Sequence, residues 1–159
     1  MANPSVVNFG PRALGAGGVV HKKYQHNGLR VINKSGSDIA IDKLVAVIGF
    51  DVTSERPKIV LASADTAGHE DVYVTLSAIA NNAEGIVFKG GRSAANLNTN
   101  SATTAGDPVF LSATAGAFAH SQPQNTVIPA GWVVTKSATV GDIYWNIGPS
   151  HVFGVSNNF

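Results

Sequence analysis

From residue 29 onward the chain never sustains a helical stripe: no window of a dozen residues repeats apolar side chains at i, i+3 and i+4. Short runs rich in Val, Ile, Phe and Trp recur instead, each closed by Gly, Pro, Asn, Asp or Ser. The runs at 29–33, 44–50, 58–62, 72–76, 85–89, 108–112, 131–136 and 142–147 are predicted as strands. Between them, Ser35-Gly36-Ser37-Asp38, Ser54-Glu55-Arg56-Pro57, Lys89-Gly90-Gly91-Arg92 and Ala115-Gly116 carry turn chemistry, where Gly supplies positive φ and Pro sets a corner. Residues 78–83 are the best helical candidate, and they are short and end in two Asn. The pattern therefore predicts an all-β fold, a compact β-barrel or β-sandwich at residues 29–159 with a short C-terminal tail. Residues 1–28 hold Pro4, Pro11 and Gly15-Ala16-Gly17-Gly18 without apolar periodicity, and read as an extended N-terminal arm.

Charge narrows the function. Only 13% of the residues are charged while 44% are hydrophobic, against roughly a quarter charged in a typical soluble domain. A surface of Ala, Ser, Thr, Asn and Gly repels neighbours weakly and suits burial in an assembly. The net charge of +1 hides an asymmetry: Arg12, Lys22, Lys23, Arg30 and Lys34 all precede the first acidic residue, Asp38. Arg12, Lys22, Lys23 and Arg30 are accordingly the candidate contacts of a basic arm with an acidic protein surface. Their density is too low for a typical nucleic-acid arm. Among the aromatics, Trp132 and Trp145 are the candidate interface anchors.

The chemistry of catalysis is sparse. There is no Cys, hence no disulfide framework and no thiolate zinc site. His21 and His26 sit at a spacing that matches neither one helix face nor one strand face. His69-Glu70-Asp71 gathers an imidazole and two carboxylates on an expected turn; His120 and His151 stand alone. No Gly-x-Ser-x-Gly elbow occurs, and the segment Gly85 to Gly90 lacks the Lys-Ser/Thr that a phosphate loop requires. Neither an enzyme, nor a cofactor, nor a metal site is expected. The N-terminus shows no signal-peptide pattern and no stretch nears the roughly 18 apolar residues of a membrane span, so the expected place of synthesis and assembly is the cytoplasm. Asp42, Asp107 and Asp142 each stand at the mouth of an apolar run, where a carboxylate is expected to bond backbone two residues on and close the preceding turn.

The order of these pieces is also informative. Asn33 to Val45, Lys58 to Ala62, Ile79 to Gly91, Ala105 to Gly116, Ala130 to Val134 and Val140 to Ile147 together resemble the capsid cement, or head decoration, proteins of tailed bacteriophages. That resemblance covers about three quarters of the chain and implies a compact β-barrel or sandwich without catalytic residues. It implies a homo-oligomer, trimeric in many such proteins, on the outer capsid surface, with the major capsid protein and possibly a second cement protein as partners. Similar Gly-Asp strand signatures occur in tail-fibre and tailspike modules of host attachment, which is the alternative reading. The arm at 1–28 is longer and more basic than the family core needs.

Overall fold

The computed structural model describes residues 28–152, and these contain strands, turns and bends but no helix. In chain order the strands are β1 (Gly28–Asn33), β2 (Leu44–Asp51), β3 (Arg56–Leu61), β4 (Val72–Thr75), β5 (Glu84–Phe88), β6 (Gly90–Arg92), β7 (Pro108–Leu111), β8 (Phe118–Ala119), β9 (Thr126–Val127), β10 (Pro129–Thr135), β11 (Asp142–Asn146) and β12 (His151–Val152). The fold is all-β, as the punctuated apolar runs require. Each of the eight expected runs is a strand, with bounds shifted by a residue or two. Four short strands were not expected: β6, which the glycines disguise as a turn, and β8, β9 and β12.

Barrel and sheet coexist. β1 to β5 close a barrel in the order β1-β3-β2-β4-β5, while β6, β11, β10, β7 and β8 form a second sheet in that order. Closure depends on β1 pairing antiparallel with β5 and parallel with β3, at Ile32–Lys58 and Asn33–Ile59. The barrel interior is filled by Val31, Ile39, Val45, Ile59, Ile79 and Val87. A larger core lies between the barrel wall and the second sheet, joining Leu44, Ala46, Val72 and Val74 to Val109, Leu111, Ile128, Ala130, Val133, Ile143 and Trp145. Strands β2 and β4 are thus covered on both faces, Val45 pointing one way and Leu44 and Ala46 the other. This is why Leu44-Val45-Ala46 reads as an unbroken apolar run instead of an alternating one.

The barrel has an internal near-repeat. Ile39 and Ile79 exchange reciprocal backbone hydrogen bonds of 2.9 Å each. Each is followed by a two-residue turn whose second member has positive φ, Asp42 at 55° and Asn82 at 60°, and then by a strand. Asp and Asn are the residues that tolerate this left-handed conformation best after Gly. Residues 78–83, the helical candidate, are this bridge and turn.

Asp42 also ties the barrel to the second sheet. Its buried carboxylate accepts hydrogen bonds from the Ala94 amide (2.9 Å), the Ala95 amide (2.7 Å) and the Trp145 indole Nε1 (3.2 Å). The expected local bond two residues on is therefore not what Asp42 makes. Asp107 does close its preceding loop, accepting from the amides of Thr103 (2.7 Å) and Thr104 (3.0 Å). The segment 93–106 is tied to the rest of the chain: Leu97 bridges to Gly141, and the fully buried Thr99 hydroxyl donates to the Thr135 carbonyl at 2.7 Å.

One glycine is indispensable to the second sheet. At Gly131 φ is 152°, and a Cβ there would drive into the Tyr144 carbonyl oxygen of the paired strand β11. The backbones of β10 and β11 approach closely because no side chain intervenes.

Replacing Asp42 by Asn keeps the left-handed backbone accessible but removes the charge and turns an amide donor toward amide donors. The expected loss is about 2–3 kcal/mol of folding stability, read as a lowered urea midpoint with an unchanged m-value. A neutral result would show that the carboxylate does not hold barrel to sheet.

Candidate interaction surface

With two cores already closed inside one chain, the informative side chains are the large apolar ones left outside. Among the described residues they fall into two groups and one outlier, Ile86 on β5. The first group lies along the end of β2 and the hairpin that follows: Ile48, Phe50 (56% exposed) and Val52 (81% exposed). The hairpin is closed by the Asp51–Arg56 pair, with residues 52–55 at its tip. Asp51 accepts hydrogen bonds from the Ser54 amide (2.9 Å) and hydroxyl (2.7 Å), which hold its carboxyl below the usual carboxylate range. This small network braces the tip, so Val52 is presented by an ordered turn.

The second group occupies the outer face of the second sheet. Register places Pro108 of β7, Trp132 of β10, Tyr144 of β11 and Arg92 of β6 side by side across four strands. Trp132 is 46% exposed and Tyr144 51%; Val134 is exposed further along β10, and Val140 in the loop that leads into β11. Val134 stands where the β10 register shifts against β11, between Val133 and Thr135. At the end of the row Arg92 is ion-paired with Asp142, which Ser93 Oγ also bonds at 2.6 Å. The Arg92 guanidinium holds the Asp142 carboxyl below its usual range, and Asp142 in turn raises Arg92.

Trp132 and Trp145, expected alike as interface anchors, separate here. Trp145 is fully enclosed, its indole bonded to Asp42 and its ring edge-on to Phe118 at 5.9 Å. It serves this chain's own core and has no surface to offer, which corrects the expectation. Strand parity explains the split: on β11 the inward positions are Ile143 and Trp145, leaving Tyr144 outward, and Tyr144 lies directly opposite Trp132. Phe50 and Val52 carry no comparable signal: nothing in the sequence separates Phe50 from a core Phe.

Of the basic candidates, Arg12, Lys22 and Lys23 lie outside the described residues. Arg30 is exposed on β1 opposite Ile86 and shares a shallow depression with Glu84. The other expected chemistry disperses. His69 Nδ1 accepts the Ser63 amide at 3.1 Å, Glu70 accepts the Gly68 amide at 3.2 Å, and Asp71 pairs with Lys89 at 3.0 Å. Three neighbouring residues thus have three separate structural partners. Lys89 also donates to the Val72 carbonyl at 2.6 Å and lies 4.0 Å above the Tyr73 ring, so the lysine beside the near phosphate loop braces the junction of β5 and β6. Burial raises the Tyr73 phenol, with Asp71 adding to the effect. No group of three His, Asp or Glu able to hold a metal occurs among the described residues.

His120 is different: both ring nitrogens are sealed from solvent without a hydrogen-bond partner, and the ring stands edge-on to Phe118 at 5.5 Å. Burial lowers its pKa below the ordinary 6.5, a shift that the more distant Asp107 partly opposes. The folded state therefore favours neutral imidazole. Its contribution to stability is complete above the unfolded histidine pKa and declines as pH falls through that value toward the folded one. A His120→Phe variant should lose less stability than the parent between about pH 7.5 and 5.5, measured as the shift in urea midpoint. Equal shifts would mean that this imidazole does not feel its burial.

A family model described as XM1 gp53 minor capsid protein matches residues 30–144, from β1 into β11 and more than two thirds of the chain. No match was found among curated proteins.

Proposed function

The chain belongs to the XM1 gp53 minor capsid protein family, and we propose that within the capsid it acts as a cement, or decoration, protein that clamps neighbouring major capsid subunits from outside. As a member of that family it is a structural protein of the bacteriophage virion, associated with the capsid. The observation that carries the finer reading is the outward display of Phe50, Val52, Trp132 and Tyr144 on a molecule whose own cores are already filled. Exposed aromatic and aliphatic patches of this kind mark protein contacts. The low charge of the chain, 13%, lowers the cost of covering the rest of its surface.

The physical action is linkage. A shell filled with DNA is pushed outward, and a protein that binds only the closed arrangement of capsid subunits stabilises it by its binding free energy. Several copies joined together multiply modest contacts, because one seated copy raises the effective concentration of the others near their sites. Residues 1–27 carry Arg12, Lys22 and Lys23 and no acidic side chain, whereas residues 28–159 carry eight basic and ten acidic ones. The basic arm, with Arg30 at its root, is the element suited to an acidic capsid surface.

Deleting residues 1–27 should leave a folded barrel and lower its occupancy on purified shells by tenfold or more, with steep loss of parental binding as salt is raised. Occupancy by labelled protein in cosedimentation measures this, and undiminished binding would reject the arm's role. Shells saturated with the parent should withstand a higher temperature or pressure before bursting than bare shells; no gain would reject cementing itself.

A further inference from the structure

We propose that the outer wall of the barrel built by β5, β1 and β3 is a docking face of the folded body, and that its partner is an acidic protein surface. The proposal rests on the capsid reading for the shell as that surface, and deepens it by naming a side of the molecule that meets it.

The register assembles this wall. Val31 and Ile59 fill the barrel interior, so the residues that alternate with them on β1 and β3 face outward. Ile32 pairs with Lys58 of β3 and with Glu84 of β5, and Arg30 pairs with Ile86, which sets one outward face across three strands. Arg56 joins it two residues before Lys58, its Nε 3.1 Å from Glu84, and Asp51 of β2, paired in register with Arg56, bounds it. The exposed Lys34, two residues beyond Ile32, continues the stripe of β1. In the ring of strands β1 lies between β3 and β5, away from β2 and β4, which the second sheet covers. Among the described residues this side of the barrel is left open.

Charge collects on it. Arg30, Lys34, Arg56 and Lys58 are half of the eight cations in residues 28–159, whereas Glu84 and Asp51 are two of the ten carboxylates. The rest of that span holds four cations and eight carboxylates, Glu55 at the hairpin tip among them. Both carboxylates of the wall are engaged, Glu84 by Arg56 and Asp51 by the Ser54 amide and hydroxyl. Arg30, Lys34 and Lys58 have no ion pair among the described residues; Lys34 reaches only the Asn82 side-chain oxygen at 3.1 Å, and Lys58 extends over Gly49. Residues 1–27, with Arg12, Lys22 and Lys23 and no acid, join the body at Gly28, the first residue of the wall's central strand. The arm therefore adds its charge to a face of the same sign. Complementary charge selects an acidic partner. The carboxylates set among the cations, and the exposed Ile86 beside Arg30, suit a protein surface better than a phosphate backbone, which Glu84 and Asp51 would repel.

Two double charge reversals in the full chain test this. Arg30→Glu with Lys34→Glu reverses the two exposed cations of the central stripe, while Lys43→Glu with Lys136→Glu makes the same change of net charge at exposed positions off the wall. Both variants should keep the parental near-ultraviolet spectrum. In cosedimentation with purified shells at low salt, the wall variant should lose occupancy by about tenfold or more and the off-wall variant by less than about twofold. If the wall variant does not fold, Arg30→Gln alone replaces it, with a loss of about threefold expected. Full occupancy by the wall variant, with the parent still strengthening shells, would overturn the docking face and leave the cement reading standing. Equal loss in both double variants would overturn it as well, because net charge and not this face would then govern binding. Parental binding to a short DNA duplex in preference to shells, abolished in the wall variant, would replace the acidic protein by nucleic acid. A parent that leaves shells unoccupied would reject the face and the capsid reading together.

Discussion

The buried carboxylate of Asp42 is the constraint on which the rest of this structure depends. A closed five-stranded barrel of this size has a thin interior, here six side chains with a few partly buried neighbours, and the larger core exists only where the second sheet lies against the outside of β2 and β4. Apolar contact alone would allow the two layers to slide. Asp42 prevents that by gathering two backbone amides of the 93–95 segment and the indole of Trp145 on one anion. A buried anion is tolerated only when its donors are in place. The arrangement is therefore specific as well as stabilising, and it fixes Trp145 inward and, through strand parity, Tyr144 outward.

The same logic recurs at smaller scale. Thr75 and Thr99 are fully buried hydroxyls that stitch loop backbones, Thr75 Oγ1 accepting from the Lys43 amide and donating to the Ala40 carbonyl at 2.8 Å. Asn33, also fully buried, donates from its side chain to the carbonyls of Ser37 and Ile79. A chain without cysteine that devotes many residues to turns satisfies its buried backbone groups with short polar side chains. His69, which accepts the Ser63 amide, and the Asp71–Lys89 pair serve the fold in the same way.

What remains on the outside is the functional content. Low charge and two groups of outward apolar side chains suit a protein that works by being covered, and membership in a minor capsid family supplies the setting. The hairpin and the sheet face are both built on braced strands, so little conformational entropy is lost when either is buried.

Local information carries far in this chain. The eight main strands and most of the turns that separate them followed from β-branched runs and from Gly, Pro and Asn, because strand length and turn chemistry are short-range properties. β6 escaped because Gly90 and Gly91, read as a turn, pair with Asn146 and Trp145, a partnership formed far along the sequence. The scarcity of charge was equally legible. Tertiary structure alone decided that β1 closes a barrel through a parallel pairing with β3, that the second sheet covers β2 and β4, and that Asp42 reaches Ala94 and Trp145 and not its own turn. It also decided which tryptophan is hidden: period-two alternation assigns residues to two faces, but which face meets a core depends on what packs there, and that is settled by contacts between residues distant in sequence.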